Sequence, residues 1–126
     1  MPLRVELKPF ERIVIGETVI INSGTRTCFL IDGEAPLLRE RDTVSAETAN
    51  TPAKRLYHCV QTMYLKSDVA RYRTAYLGFV KELRQTHPDC GDAIAAINAH
   101  VSAGALYKAL KEIRKLIKRE AALLAA

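Results

Sequence analysis

Lysine and arginine side chains near the carboxyl end recur at a spacing that places them on one face of a helix. At about 100° per residue, one side of that helix is apolar and carries Leu106, Leu110, Ile113 and Ile117. The opposite side carries the basic residues Lys108, Lys111, Lys115, Lys118 and Arg119. Such a face attracts the phosphate backbone of RNA, although it does not read a sequence. The solvated outer face of a helical bundle shows the same pattern, because basic surfaces are common. Tyr107 flanks this face and could either stack on a nucleotide base or pack against the bundle.

Three arginines in the first third of the chain, Arg26, Arg39 and Arg41, flank predicted turns. A guanidinium group held on a sheet edge can form paired hydrogen bonds with phosphates or with guanine. A lysine on a flexible stem does this less selectively. These arginines are therefore a second candidate RNA contact. The alternative for Arg39 is an exposed ion pair with Glu34 or Glu40.

No set of residues in the sequence predicts catalysis. The chain lacks the GxSxG, Walker-type glycine-loop and HExxH motifs. His58 and Cys59 are neighbours on a predicted helix and point about 100° apart, so they do not form a nucleophile and its base. His87 precedes a proline at a helix end, where we expect it to be solvated. We therefore expect no enzyme activity, no catalytic residue and no cofactor.

The three cysteines, Cys28, Cys59 and Cys90, are an odd and widely spaced set. None belongs to a CxxC pair, so neither a metal site nor a disulfide framework is indicated. Cys28 and Cys59 fall on predicted apolar faces, where a free cysteine behaves as a small hydrophobic residue. A reducing compartment is consistent with this usage.

Five short segments predict strands. Residues 3–7 alternate apolar and charged side chains, which is typical of a half-buried strand. Three apolar runs follow at 13–15, 19–21 and 28–31, each bounded by turn residues such as Gly16. We expect these three runs to form a meander of consecutive strands. A short strand at about 37–40 follows Pro36.

Four amphipathic helices are predicted to follow the strands. Thr51-Pro52 indicates a helix start, because Thr caps free N–H groups and Pro is favoured at the first position. Ser67-Asp68 is expected to start the second helix, Pro88 to end it, and Gly104 to end the third. The fold class is therefore α+β: a small antiparallel β-module of four to five strands, then a four-helix half. We place the β-module at 1–44 and the helical half at 45–126, and we expect them to share one compact unit.

The formal charge of the 126-residue chain is +5, but it is unevenly distributed. Residues 1–44 carry six basic and seven acidic side chains, whereas residues 105–126 carry six basic and two acidic ones. No apolar run is long enough for a membrane span, and the amino-terminal residues lack the apolar core of a signal peptide. We therefore expect a cytoplasmic protein with no membrane partner.

Several long strings of this sequence are distinctive. They are ERIVIGETVIINSGTRTCFLIDGEAPLLRERD (11–42) with its lead-in MPLRVELKPFERIVIG (1–16), and then AETANTPAKRLY (46–57), MYLKSD (63–68), YLGFVKEL (76–83) and LYKALKEIRKLIKRE (106–120). In these strings the chain resembles the FlbT family of flagellum biosynthesis repressors. The resemblance implies a small post-transcriptional regulator of flagellin synthesis. Its partner would be the 5′ untranslated region of flagellin messenger RNA, whose degradation the family promotes.

A second, local resemblance links IGETVIINSG (15–24) and APLLRE (35–40) to carbon-storage-regulator proteins, which are small β-dimers that bind 5′ untranslated regions. It implies an RNA-holding role for Arg39. The helical half departs from that family, so an interleaved-strand dimer of the same kind does not follow. A small sheet still needs a cover for its open face, which either the helices or a second copy could provide. A homodimer is therefore a further expectation.

Two classes of function remain open at this point. In the first, the arginines of the β-module supply selectivity for RNA, the basic helix supplies affinity, and a recruited nuclease degrades the message. In the second, the chain is a protein-binding adaptor or chaperone-like module that acts on flagellin or another flagellar regulatory protein. Tyr72, Tyr76 and Phe79 could form an apolar groove for such a partner, or could be core residues. The steep salt dependence of RNA binding separates the two classes.

Overall fold

A computed structural model describes residues 2–125, which divide into two compact units, the first ending at Thr43 and the second beginning at Val44. The first unit contains five strands: β1 (Leu3–Leu7), β2 (Arg12–Ile15), β3 (Thr18–Ile21), β4 (Thr27–Ile31) and β5 (Leu37–Arg39). The second contains four helices: α1 (Pro52–Lys66), α2 (Arg73–Thr86), α3 (Gly91–Ser102) and α4 (Leu106–Ala125). Short 3₁₀ turns occupy Glu40–Asp42, Ala70–Tyr72 and Pro88–Cys90. The α+β class and the strands-then-helices order are confirmed.

The five strands form two antiparallel sheets instead of one meander. β1 pairs with β4, and a three-stranded sheet has the order β3-β2-β5. β2 and β3 form the predicted hairpin, with Gly16 at φ 59° in its two-residue loop, a conformation that glycine adopts readily. The predicted pairing of β3 with β4 is wrong. Instead, Thr27 to Ile31 pair with Leu7 to Leu3.

The side chain of Asn22 explains why the chain leaves the β3 edge. Its Nδ2 donates to the backbone oxygens of Leu7 (3.0 Å), Lys8 (3.1 Å) and Thr25 (2.9 Å). These bonds hold the end of β1 and the start of β4 beside one another. Hydrophobic runs predict the strands themselves, whereas the pairing of β1 with β4 is supported by a buried amide whose contacts are not apparent from residue type.

A small apolar core fills the first unit. Val5, Leu7 and Ile13 are buried, with Ile31 and Leu37 packed against them. All four residues of β3 are exposed, including the large side chains of Val19, Ile20 and Ile21. The unit thus has a minimal interior and an apolar strand at its surface.

The first helix begins as the sequence predicts. Thr51 lies in extended conformation, and its hydroxyl accepts a hydrogen bond from Lys54 N at 3.2 Å. This bond satisfies an N–H group that the helix itself leaves without a partner. Gly104 has φ 75° and follows α3, as expected of a left-handed helix end.

The start of the second helix differs from the prediction. Ser67 has φ 53° and ends α1, and Asp68 Oδ1 accepts a bond from Arg71 N at 3.1 Å. The 3₁₀ turn Ala70–Tyr72 then follows, and α2 begins only at Arg73. Neither that turn nor α2 has a side-chain cap, so Ser67-Asp68 does not start the helix as predicted.

α1 and α4 run antiparallel in the helical unit. Three contacts along them join Ala53 to Glu120, Tyr57 to Arg114 and Tyr64 to Tyr107. Buried apolar side chains from all four helices fill the space between them, among them Leu56, Val60, Leu83, Ile97, Leu110 and Ile113. Among the described residues, no helix is long and apolar enough to cross a membrane.

Candidate nucleic-acid interface

The five basic residues predicted on α4 are all exposed and share one side of the helix. Two of them have carboxylate partners: Lys115 Nζ lies 3.1 Å from Glu112 Oε1, and Arg119 Nη2 lies 3.4 Å from Asp89 Oδ2. Within residues 2–125, Lys108, Lys111 and Lys118 form no ion pair. These three lysines therefore supply the positive charge that is available to an external phosphate.

The buried face of α4 differs by about one residue from the apolar face that the sequence predicts. Leu110 and Ile113 are buried as expected, but Leu116 is buried and Ile117 is only half-buried. Glu120, which sequence reasoning missed, is also buried, with 4% of its surface exposed. The difference arises because the helix packs against two neighbours, α1 and α3, which cover a wider stripe than the four predicted residues.

Tyr107 both packs against the bundle and remains partly exposed. Its ring centroid lies 6.0 Å from that of Tyr64, and 41% of its surface is accessible. Lys111 Nζ lies 5.2 Å and the Arg114 guanidinium 5.8 Å from its ring centroid. Cations at these distances are attracted to the face of an aromatic ring. Tyr107 therefore lies between Lys111 of the basic face and Tyr64 of α1.

Buried Glu120 is a structural group. Its Oε2 accepts a hydrogen bond from Ala53 N at 3.2 Å and lies 3.0 Å from His87 Nε2. The His87 side chain is only 17% exposed, so the expectation that it is solvated is wrong. Its sequence neighbours, Thr86 and Pro88, do not predict this burial, because its partner Glu120 lies 33 positions away.

Two of the predicted arginines in the first unit pair with carboxylates. Arg26 Nη1 lies 2.8 Å from Glu6 Oε1. Arg39 Nη1 donates to the backbone oxygen of Glu6 at 3.1 Å and lies 3.8 Å from Glu11 Oε1. The ion-pair alternative for Arg39 is thus realised, but with Glu11 and not with Glu34 or Glu40. Since Glu6 belongs to β1 and Arg39 to β5, this bond also joins the two sheets.

Arg39 and Arg41 lie together on an open cleft, and Arg26 is not among the residues that line it. The cleft is lined by Phe10, Glu11, Arg12, Arg39, Glu40 and Arg41. Arg12 Nε lies 3.5 Å from Glu40 Oε2. Arg41 forms no ion pair with any residue in the described part of the chain. The cleft therefore combines paired arginines with one guanidinium group that is available to an anion.

Phe10 is a cleft residue that sequence reasoning missed. It has φ 64°, and 73% of its surface is exposed. A signal was present in the sequence, because Pro9 ends β1 and an aromatic residue follows directly in the turn. Residue type alone does not predict a positive φ at a phenylalanine.

Two of the remaining candidates, Cys59 and Tyr76, are core groups. Burial raises the pKa of Cys59 to about 11 and, with a smaller contribution from Cys59, that of Tyr76 to about 12. Tyr76 is buried, and its hydroxyl donates to Asn98 Oδ1, so it belongs to the core and not to a groove. Cys28 is exposed, in contrast to the predicted packing role. No cluster of His, Cys, Asp or Glu among residues 2–125 is arranged to hold a metal ion.

Comparison with known proteins identifies the family. A family described as "Flagellar protein FlbT" matches residues 3–124. The chain is 63% identical over 124 residues to the "Probable flagellum biosynthesis repressor protein FlbT" of Rhodopseudomonas palustris strain TIE-1, with 98% of each chain covered. It is 48% identical over 121 residues to the "Probable flagellum biosynthesis repressor protein FlbT 1" of Bradyrhizobium diazoefficiens, covering 95% of this chain and 83% of the relative.

A third relative is the "Flagellum biosynthesis repressor protein FlbT" of Caulobacter vibrioides strain ATCC 19089. It is 34% identical over 125 residues, covering 95% of this chain and 87% of the relative. No solved structure matches the chain. The family match spans nearly the whole sequence and includes both the cleft of the first unit and the basic face of α4. The chain therefore belongs to the FlbT family of flagellar proteins.

Proposed function

We propose that this protein represses flagellum synthesis after transcription, by binding the 5′ untranslated region of flagellin messenger RNA in the cytoplasm. Bound RNA would then be degraded or its translation blocked. Membership of a family whose relatives are named flagellum biosynthesis repressors supports the regulatory part of this proposal. The observation that carries the RNA-binding part is the set of lysines without carboxylate partners on α4, described above.

The two candidate surfaces would contribute differently to binding. Lysines on a helix face attract any phosphate backbone, so α4 would supply affinity that does not depend on sequence. Guanidinium groups can form paired hydrogen bonds with base edges, so the cleft with Arg39 on β5 and Arg41 in the 3₁₀ turn after it would supply discrimination. The chain has no predicted catalytic set, and degradation would need a nuclease that is recruited or that gains access to the leader.

The first test is binding of labelled flagellin leader RNA, against a scrambled RNA of equal length, across a salt series. If about four phosphates are neutralised, log K should fall with log salt at a slope of roughly −3 for a single strand. We expect the leader to bind more tightly than the scrambled RNA at every salt concentration. Equal binding to both RNAs would mean that the positive charge acts only as a generic attraction.

Substitutions on α4 test the source of affinity. Replacing Lys108, Lys111 and Lys118 by Ala should weaken binding to both RNAs about equally and flatten the salt dependence. Lys115→Ala is the matched control, because Lys115 already pairs with Glu112 and its loss should change the slope less. An unchanged slope in the triple variant would show that this face does not contact phosphates.

Substitution of Arg41 tests discrimination more cleanly than substitution of Arg39. Arg39 donates to the β1 backbone, so Arg39→Ala would disturb folding as well as binding. Arg41→Ala should lower the leader-to-scrambled ratio while leaving the melting temperature unchanged. If Arg41→Ala has the same leader-to-scrambled ratio as the wild type, the cleft does not supply the discrimination that we propose for it.

A protein-binding adaptor is the second candidate function. The exposed Val19, Ile20 and Ile21 of β3 favour it, because an apolar edge strand is a common site of strand addition. The predicted groove of Tyr72, Tyr76 and Phe79 does not, since Tyr76 is buried. An adaptor for flagellin or another flagellar regulator would bind its partner with little salt dependence. The salt series therefore separates the two candidates.

A further inference from the structure

Phe10 combines two properties, a strained backbone angle and a highly exposed ring. It has φ 64°, a left-handed conformation that residues other than Gly, Asn and Asp rarely adopt. It is 73% exposed, so burial does not compensate for the strain. Strained residues of this kind persist where the surrounding structure enforces them, and they cluster at ligand sites.

The turn that carries Phe10 is held by hydrogen bonds on both sides. Phe10 N donates to Asn22 O, and Asn22 N donates to Glu11 O at 3.0 Å. Glu11 N donates to Lys8 O at 3.1 Å, and Lys8 N donates to Glu11 Oε1, also at 3.1 Å. The buried Asn22 amide holds the far side of the turn through Leu7 O and Lys8 O. The ring is therefore presented to solvent from a fixed backbone.

The surroundings of the ring indicate a class of ligand. Phe10 lines the same cleft as Arg12, Arg39 and Arg41, which are opposed by only two carboxylates, Glu11 and Glu40. Both carboxylates are engaged by Arg39 and Arg12, so the guanidinium group of Arg41 remains available. An exposed aromatic face beside an available cation matches an unpaired nucleotide, which presents a flat base next to a phosphate. An apolar protein anchor would not require the arginines.

We propose that Phe10 is a base-stacking residue that holds one unpaired base of single-stranded RNA, with Arg41 bound to the same nucleotide. This inference rests on the proposed function, because it presumes that the protein binds RNA. It adds the position at which a base is held and the kind of contact that holds it. It also explains why a strained side chain is kept where Gly or Asn would fit the backbone better.

Phe10→Asn separates stacking from folding. Asn adopts the left-handed conformation readily, so the melting temperature should stay the same or rise. Loss of one stacked base should nevertheless weaken binding to the leader RNA by about 5- to 150-fold. Few surface residues combine a loss of binding with a gain of stability. The matched control is Leu30→Asn. Leu30 is similarly exposed, at 71%, but it lies in a regular strand and does not line the cleft. This control variant should therefore leave RNA binding unchanged.

Phe10→Trp gives a direct readout, because the chain contains no tryptophan. The variant should bind leader RNA at least as tightly as the wild type. Its single indole should be quenched by that RNA, but not by an abasic ribose-phosphate oligomer of the same length. Quenching by RNA together with weaker binding of Phe10→Asn would support the proposal.

The possible failures are distinguishable. If wild-type protein does not bind leader RNA, the proposed function fails and the stacking role fails with it. If the wild type binds, but Phe10→Asn binds equally and the indole of Phe10→Trp is not quenched, only the stacking role is overturned. Quenching by a protein partner instead of RNA would identify Phe10 as an anchor for that partner and would also overturn stacking.

Discussion

Burial divides the three cysteines into two kinds. Cys28 is exposed on β4, where Arg4 Nε donates to its sulfur at 3.1 Å, whereas Cys59 and Cys90 are buried. Burial raises the pKa of the Cys59 thiol to about 11 and also raises that of Cys90. The thiolate is the reactive form, so a raised pKa lowers the fraction that can react near neutral pH. The three thiols should therefore differ in chemistry as well as in access.

A thiol-specific reagent at pH 8 should show this difference. We expect one fast reaction per chain, at Cys28, and much slower reaction at Cys59 and Cys90. Cys28→Ser should abolish the fast phase, and denaturant should make all remaining thiols react together. Two fast phases in native protein would contradict the burial of Cys59. Raising the pH towards 11 should speed the Cys59 reaction, because more of its thiol is then ionised.

Single residues also show what could be predicted from sequence. The exposed lysines of α4 were predictable, because helical periodicity fixes the face on which each side chain lies. The partner of Arg39 was not, since Glu11 is 28 positions away and reaches it only through the pairing of β2 with β5. Phe10 was missed because its unusual feature is a backbone angle, which depends on the Asn22 contacts and not on residue type.

At the scale of elements, one carboxylate joins three parts of the helical unit. Glu120 on α4 contacts the first turn of α1 through Ala53 N and the end of α2 through His87. The positive end of the α1 dipole faces this carboxylate, which adds to the stabilisation. A buried carboxylate without such partners would be strongly destabilising. Glu120 therefore acts as a remote cap for α1.

Glu120→Ala should lower the free energy of unfolding by about 1–3 kcal/mol, because it leaves Ala53 N and His87 without their acceptor. Glu120→Gln keeps the size and one oxygen acceptor and should be milder. Chemical denaturation, followed by circular dichroism, measures both. Glu112→Ala is the control: Glu112 also lies on α4 but pairs with an exposed lysine, and such pairs contribute at most about 1 kcal/mol. Equal losses in the two alanine variants would contradict the capping role.

The strands and helices could be predicted from sequence where residues close together in the chain determine them. Five strands and four helices follow from periodicity and capping residues, and Thr51 caps α1 as predicted. Strand pairing was wrong at β4, because β4 pairs with β1, and the Asn22 side chain bonds both the end of β1 and the residues just before β4. The start of the second helix was predicted too early, because a 3₁₀ turn, Ala70–Tyr72, lies between Ser67-Asp68 and α2.

At the scale of the whole molecule, the two units differ in charge. The six basic and seven acidic side chains of the first 44 residues nearly cancel, so the net positive charge belongs to the helices. A nearly neutral unit with an exposed apolar strand is suited to self-association, since two copies would not repel each other. Whether the two units behave as one domain stays a prediction.

The exposed edge of β3 makes a homodimer the expected state. Among the described residues β3 pairs only with β2, and its outer edge is the kind of unpaired, apolar strand that recruits another strand. Two copies can pair antiparallel about a twofold axis, so that each β3 covers the other. Light scattering after size exclusion should then give twice the mass of one chain.

A double substitution tests that edge directly. Val19→Lys with Ile21→Lys places two charges on one side of β3 and should yield a monomer with an unchanged circular dichroism spectrum. Leu77→Lys is the control, because Leu77 is also exposed but lies on α2, away from any strand edge. A wild-type monomer at concentrations well above those needed to bind leader RNA would exclude the dimer. The exposed strand would then be left as a surface for a different protein, as the adaptor function requires.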